Sequence, residues 1–117
     1  MRAAIDGIAA QVALLARAAG ADLGAPLTRL RVDGGLSRST TLLQVQADLL
    51  QAPVEVYPSP HATAEGVAAF AAIGAGFGTV PVAPTGRGRV VEPRIGADEA
   101  EDRLAAWRQV AEATMDR

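Results

Sequence analysis

Along the N-terminal segment, Ile5, Ile8, Val12, Leu15 and Ala19 recur at spacings of three and four, which makes one stripe of a helix. Gly20 is the expected terminator, and residues 21–28, with Gly24 and Pro26, read as a loop. The period then changes. Leu30, Arg31 and Val32 form a short strand that Gly34 and Gly35 break. Residues 39–51 return to helical spacing and bury Leu42, Leu43, Val45, Leu49 and Leu50, until Pro53 ends the helix. Residues 54–57 alternate as a second strand does, and Pro58, Ser59, Pro60 and His61 make a turn. Thr63 is placed to cap a third helix carrying Val67, Phe70 and Ile73, which ends near residues 74–78. Residues 79–97, rich in proline and glycine, read as an irregular surface segment. Residues 98–115 form a last helix with Leu104, Trp107, Val110 or Ala111, and Thr114 on one face. Its first turn holds Asp98, Glu99, Glu101 and Asp102, which suits the positive end of a helix dipole.

The order helix, strand, helix, strand, helix, helix predicts an α/β fold with parallel strands and right-handed crossovers. Two short strands make a poor sheet, since stable sheets have about four to six. The chain therefore reads as one piece of a larger domain that obtains further strands from elsewhere.

Composition refines this picture. Half the residues are hydrophobic but aromatics are only 3%, so the core must be built from alanine and aliphatic groups in closely packed helices. A net charge of −2 leaves no basic footprint for nucleic acid. Without cysteine there is neither a disulfide framework nor a thiolate metal site. Met1 and Arg2 precede an alanine-rich stretch, as in a leader peptide. Asp6 and Gln11 interrupt it, and its apolar residues repeat with helical spacing, so an amphipathic helix explains it better. The longest apolar run, residues 67–77, holds about half of the roughly 20 residues that cross a bilayer. A cytoplasmic location without membrane partners is the expectation.

The chemistry concentrates at residues 30–51. A strand running into Gly34 and Gly35 and then into a helix exposes backbone beside a helix N-terminus, as a nucleotide phosphate or ribose requires. Glycine lets a ligand approach and adopts positive φ freely. The signature is neither a Walker loop, since no Gly-Lys-Ser/Thr follows, nor a Gly-x-Gly-x-x-Gly fingerprint. The hydroxyls of Ser37, Ser39 and Thr40 suit helix capping, worth about 1 kcal/mol each. Asp33 is placed to bond the amides that follow it, and Gln44 and Asp48 suit exposed or capping roles. Arg38 is within reach of a phosphate but reads first as solvated surface. His61, the only histidine, has no second metal ligand nearby, and Trp107 belongs to a core.

These motifs, in this order, resemble the C-terminal end of the FGGY carbohydrate kinases, most of all their glycerol-kinase-like members. The likeness runs through Ile5, Asp6, Gly7, Ile8, Ala9, Ala10 and Gln11, similar to the family's Glu-x-Ile-Ala-aromatic-Gln helix. It continues through Leu30 to Gly35, then Gln44, Gln46, Ala47 and Asp48. Thr63, Ala64 and Gly66 match a Thr-Ala-x-Gly pattern, with Glu65 in place of the usual leucine. Glu92 and Pro93, followed by the Trp107 helix, resemble the closing element.

The resemblance implies an actin-like ATPase architecture, with this chain a partial ribonuclease-H-like domain. It implies that residues 1–117 form the C-terminal part of the second, nucleotide-binding domain, and that the polyol-binding domain and the catalytic aspartate are absent. The complete enzyme would use ATP and Mg2+ to phosphorylate a polyol or sugar hydroxyl, and the segment alone would not be catalytic. Gly34 and Gly35 would form the adenosine-binding turn. Ser39 stands where the family commonly carries an asparagine touching adenine, with one hydroxyl in place of an amide. The small residues at 63–66 would pack the third helix on the sheet. Two rival readings remain. One is an interaction module that forms a homo-oligomer through its exposed sheet edge; the other is a piece of another actin-like ATPase.

Overall fold

The computed structural model describes residues 1–78 and 86–115 of the 117-residue chain. Residues 79–85, part of the stretch read as irregular, lie outside the described residues. The elements in order are α1 (Arg2–Leu23), β1 (Leu30–Val32), α2 (Thr40–Leu50), β2 (Val54–Val56), α3 (Ala62–Gly74), β3 (Val90–Val91) and α4 (Ala97–Met115). A 3₁₀ turn, Gly35–Arg38, lies between β1 and α2.

α2 organises the core because it is apolar on two faces. Leu42, Val45 and Leu49 pack with Ala9, Ala10 and Ala13 of α1 and Leu104 of α4, with Ile5, Leu50 and Trp107 at the margin. On the opposite face Leu43 and Ala47 close over Val54 and the apolar groups of the sheet, Leu30, Val32, Val56 and Val91. The sheet order is β1-β2-β3. β1 and β2 pair in parallel with Leu30 opposite Val54 and Val32 opposite Val56, as the alternation of strands and helices predicts. β3 adds an antiparallel strand on the far side of β2, with Val54 opposite Val91 and Glu55 opposite Val90. The small sheet is therefore a parallel pair extended by a third strand in the opposite sense.

Four sequence expectations change. The face of α1 that is buried is not the large-residue stripe: Ile8 and Leu15 are exposed, and Ala9, Ala10, Ala13 and Gly20 are buried. Small side chains let α1 lie close on α2, while of the bulky stripe Ile8 and Leu15 face away and Ile5 packs at the core margin. Gly20 does not end α1. A Cβ there would sit 3.0 Å from the Ala25 carbonyl oxygen, so Gly20 is a packing position under the chain reversal. Termination falls to Gly24 (φ 70°), where the Gly24 and Ala25 amides donate back to Ala21 and Gly20, the Schellman arrangement.

The third change concerns α3. Thr63 is not its cap. His61 holds that position without a side-chain cap, and Ser59 accepts from the His61 amide while its hydroxyl donates to Glu65. Nor does α3 pack on the sheet: it buries no residue, and Val67, Phe70 and Ile73 are exposed. Fourth, Asp48 is buried, not exposed. Its Oδ1 accepts from the Arg94 amide at 2.7 Å and from Gln44 Nε2 at 2.9 Å, while Gln44 Nε2 also donates to the Glu92 carbonyl at 2.9 Å. With Gln51 Nε2 reaching the Ile95 carbonyl, α2 pins the segment between β3 and α4.

By length and composition α1 alone among the described helices could cross a membrane. Its alanine face is part of the core described above.

One electrostatic contact joins the strands. Glu55, in the middle strand, is almost fully buried; Arg29 Nη1 donates to it at 2.8 Å and Arg31 Nε lies at 3.5 Å. The Arg29 hydrogen bond holds the Glu55 carboxyl below its ordinary value of 4.5, overcoming the opposing effect of burial. A depressed folded-state pKa stabilises above the ordinary value and loses that contribution as pH falls through the folded one. Wild-type thermal midpoints should therefore drop more steeply below pH 4.5 than those of Glu55→Gln, which starts lower at neutral pH. Parallel pH profiles would contradict this assignment.

Candidate functional site

Because β1 and β2 run in parallel, the loops leaving them emerge at the same end of the sheet. Crevices at the carboxyl ends of parallel strands are where α/β folds place ligands. Here a cleft of about 380 Å³ opens between the two loops. Gly34, Gly35, Ser37 and Arg38 form one wall; Tyr57, Pro58, Ser59 and Pro60 form the other. Val56 lies at the base and Arg89, just before the antiparallel β3, at the margin. The Tyr57 amide donates to the Val32 carbonyl at 2.8 Å, which fixes the two loops against each other.

The Gly34 turn is held from within. Gly34 has φ 88° and ψ −176°, a region open essentially to glycine alone. Its carbonyl accepts from both the Ser37 amide (3.2 Å) and the Ser37 hydroxyl (2.6 Å). Asp33 forms no side-chain hydrogen bond or ion pair among the described residues, so Ser37, not Asp33, braces the turn. The 3₁₀ turn also separates Gly34 and Gly35 from the start of α2. That helix end, with Thr40 and Thr41, opens instead on a different cleft of about 620 Å³.

Gly35 is unlike its neighbour. Its φ is not positive, and a Cβ built on it meets nothing within 4 Å. Neither backbone conformation nor packing requires glycine there. What its missing side chain leaves is open space over the cleft wall.

Ser39, the third residue expected at the site, is not among those lining the cleft. Its Oγ accepts from the Leu42 amide at 3.2 Å and caps α2, so the O–H remains as the group it can offer. Sequence reasoning missed Tyr57, Ser59 and Arg89. The first two were accessible in principle, since parallel pairing puts the turn after β2 beside the turn after β1. Arg89 depends on β3, for which the sequence carries no strand signal.

Among the described residues the cleft is lined by two arginines and by no carboxylate. Among the described residues Arg38 and Arg89 form no ion pair, as is also the case for Arg87, Arg94 and Arg108, while Arg2, Arg17, Arg29, Arg31 and Arg103 do. Among the described residues no group of three or more His, Cys, Asp or Glu is placed to hold a metal. His61 is exposed, and Trp107 lies at the core margin near Gly7.

Residues 1–75 match the model of the FGGY family of carbohydrate kinases, C-terminal domain. The chain is 42% identical over 114 residues to a glycerol kinase of Bordetella parapertussis and 42% identical over 111 residues to one of Acinetobacter baylyi. These matches cover 95% and 92% of the chain but 22% of each relative's length. Among solved structures, a xylulose kinase from Rhodospirillum rubrum superposes with a TM-score of 0.72 at 26% identity, over 98% of this chain and 24% of that one. Plasmodium falciparum glycerol kinase with ADP superposes with a TM-score of 0.75 over 97% of this chain and 23% of that one. At 22% identity that second likeness speaks to fold alone, which in both cases is the actin-like ATPase fold.

Proposed function

Since the chain belongs to the FGGY family of carbohydrate kinases, through the C-terminal domain of that family, we propose that it holds the adenosine-diphosphate end of ATP in a cytoplasmic kinase. The complete enzyme phosphorylates a polyol or sugar hydroxyl. Residues 1–117 act as the C-terminal part of its second domain. Gly34 and Gly35 let the backbone approach the nucleotide, and the Ser39 hydroxyl lies one residue beyond the turn toward the base. Magnesium enters with the nucleotide phosphates. Catalysis of this kind rests on positioning and on charge stabilisation around the γ-phosphate. The polyol site and the base that accepts the hydroxyl proton lie in polypeptide beyond these residues.

The observation that carries this reading is Gly35, a glycine that the fold does not need, on the wall of a cleft at the carboxyl ends of parallel strands. Calorimetric titration of ADP into the 117-residue chain should show one saturable site per chain. Absence of any binding heat or ADP-dependent rise in thermal midpoint would overturn the proposal.

A further inference from the structure

Arg38 and Arg89 reach the cleft from separate elements. Arg38 ends the 3₁₀ turn after β1, and Arg89 leads into β3, where its carbonyl accepts from the Val56 amide at 2.8 Å. That backbone bond holds the base of the Arg89 side chain beside the middle strand. The chain carries 13 acidic against 11 basic residues, yet among the described residues no acid lines this cleft. Two arginines without an ion-pair partner among the described residues therefore border one concavity, and Arg89 also borders the cleft at the start of α2, with Asp48 and Glu92.

Guanidinium is the side chain best matched to phosphate oxygens: a planar fork of donors, always charged, able to bond two oxygens at once. A ligand bridging both walls must be anionic and extended. We propose that Arg38 and Arg89 form a two-sided clamp for the diphosphate group of a nucleotide, which makes the charged end of the ligand, not its base, the part held by side chains. The clamp rests on the nucleotide reading above for the identity of the ligand, but not for the anion chemistry of the cleft.

The glycines and the arginines then divide the work. Gly35 clears the wall so that a phosphate can lie against backbone, and Arg38 and Arg89 contribute opposed charge.

The test titrates three probes, ADP, adenosine and inorganic tripolyphosphate, into the wild-type chain, Arg38→Gln, Arg89→Gln and the control Arg94→Gln, a residue that borders the other cleft and not this one. Each clamp substitution should weaken ADP and tripolyphosphate by about tenfold, the scale of one charge-assisted contact. Adenosine affinity should stay unchanged, as should all three for Arg94→Gln. Because Arg38 and Arg89 are exposed, thermal midpoints should stay within a degree or two of wild type. ADP binding that is indifferent to both substitutions would overturn the clamp while leaving the nucleotide reading standing. Arginine-dependent binding of tripolyphosphate without binding of ADP would do the reverse. Failure of both anions to bind would overturn both.

Discussion

Gly88→Ala is expected to destabilise the chain by about 3 kcal/mol, at the upper end for overpacking, and to lower its thermal midpoint by about 10 °C. A Cβ at residue 88 would come within 2.7 Å of the Val56 carbonyl carbon and closer still to its oxygen. Val56 is backbone of the middle strand, already paired with β1 on its other side, so it cannot swing aside. Relief must come from the residue 88 side, by displacement of β3. That breaks the Val56–Arg89 hydrogen bond and moves the Arg89 wall of the cleft. The substitution should therefore weaken tripolyphosphate binding as well as stability. A midpoint within ~2 °C of wild type would contradict the close approach of residue 88 to β2.

Leu43→Ala should cost a comparable amount, about 3 kcal/mol within the usual 2–5 for such a truncation. Leu43 is fully buried between α2 and the sheet, where Ala47 and Val54 are its buried neighbours. Both are held by main-chain hydrogen bonds, so the cavity cannot collapse easily. Phe70→Ala is the informative contrast. By hydrophobicity alone phenylalanine should matter more, but Phe70 is 78% exposed on α3, and its truncation should change stability by less than about 0.5 kcal/mol. Urea unfolding of the two variants separates them. Equal losses would mean that α3 is packed in solution in a way the structure does not show.

The same contrast marks what was legible in the sequence. β1 and β2 appeared where the alternation and glycine punctuation placed them, and their parallel pairing followed from the helix between them. α2 was legible because Ser39 at its start and Pro53 beyond its end are local signals, and most of its expected core positions are buried. The buried face of α1 was not legible, because hydrophobic scales weight isoleucine and leucine above alanine. Close helix packing reverses that order. α3 has a respectable apolar face, and no local signal in it says that none of the described elements covers it. β3 is two residues long, and its pairing is a tertiary event between distant segments. Likewise Asp48 looked like surface on its own helix, because the Arg94 amide that it accepts from arrives only when the β3–α4 segment folds over α2.

At the site, Gly34 and Gly35 were legible because their chemistry is the backbone's own. The second wall was not, since Tyr57, Ser59 and Arg89 become neighbours of the glycines only through the sheet topology. The helix N-terminus expected at the glycines is displaced by the 3₁₀ turn, because the Ser37 hydroxyl closes on Gly34 before α2 begins.

The central claim is that the Gly34–Gly35 turn receives a nucleotide. The most direct measurement is ADP calorimetry on wild type and Gly35→Ala, with a thermal melt of each. Residue 35 has an ordinary φ and open space around it. Alanine should therefore leave the midpoint unchanged or raise it slightly, since replacing glycine at a compatible position stabilises by about 0.4–1 kcal/mol. The same methyl group stands where the ligand must approach, so ADP affinity should fall by at least about tenfold. A Gly35→Ala chain that melts as predicted and binds ADP as tightly as wild type would contradict the account.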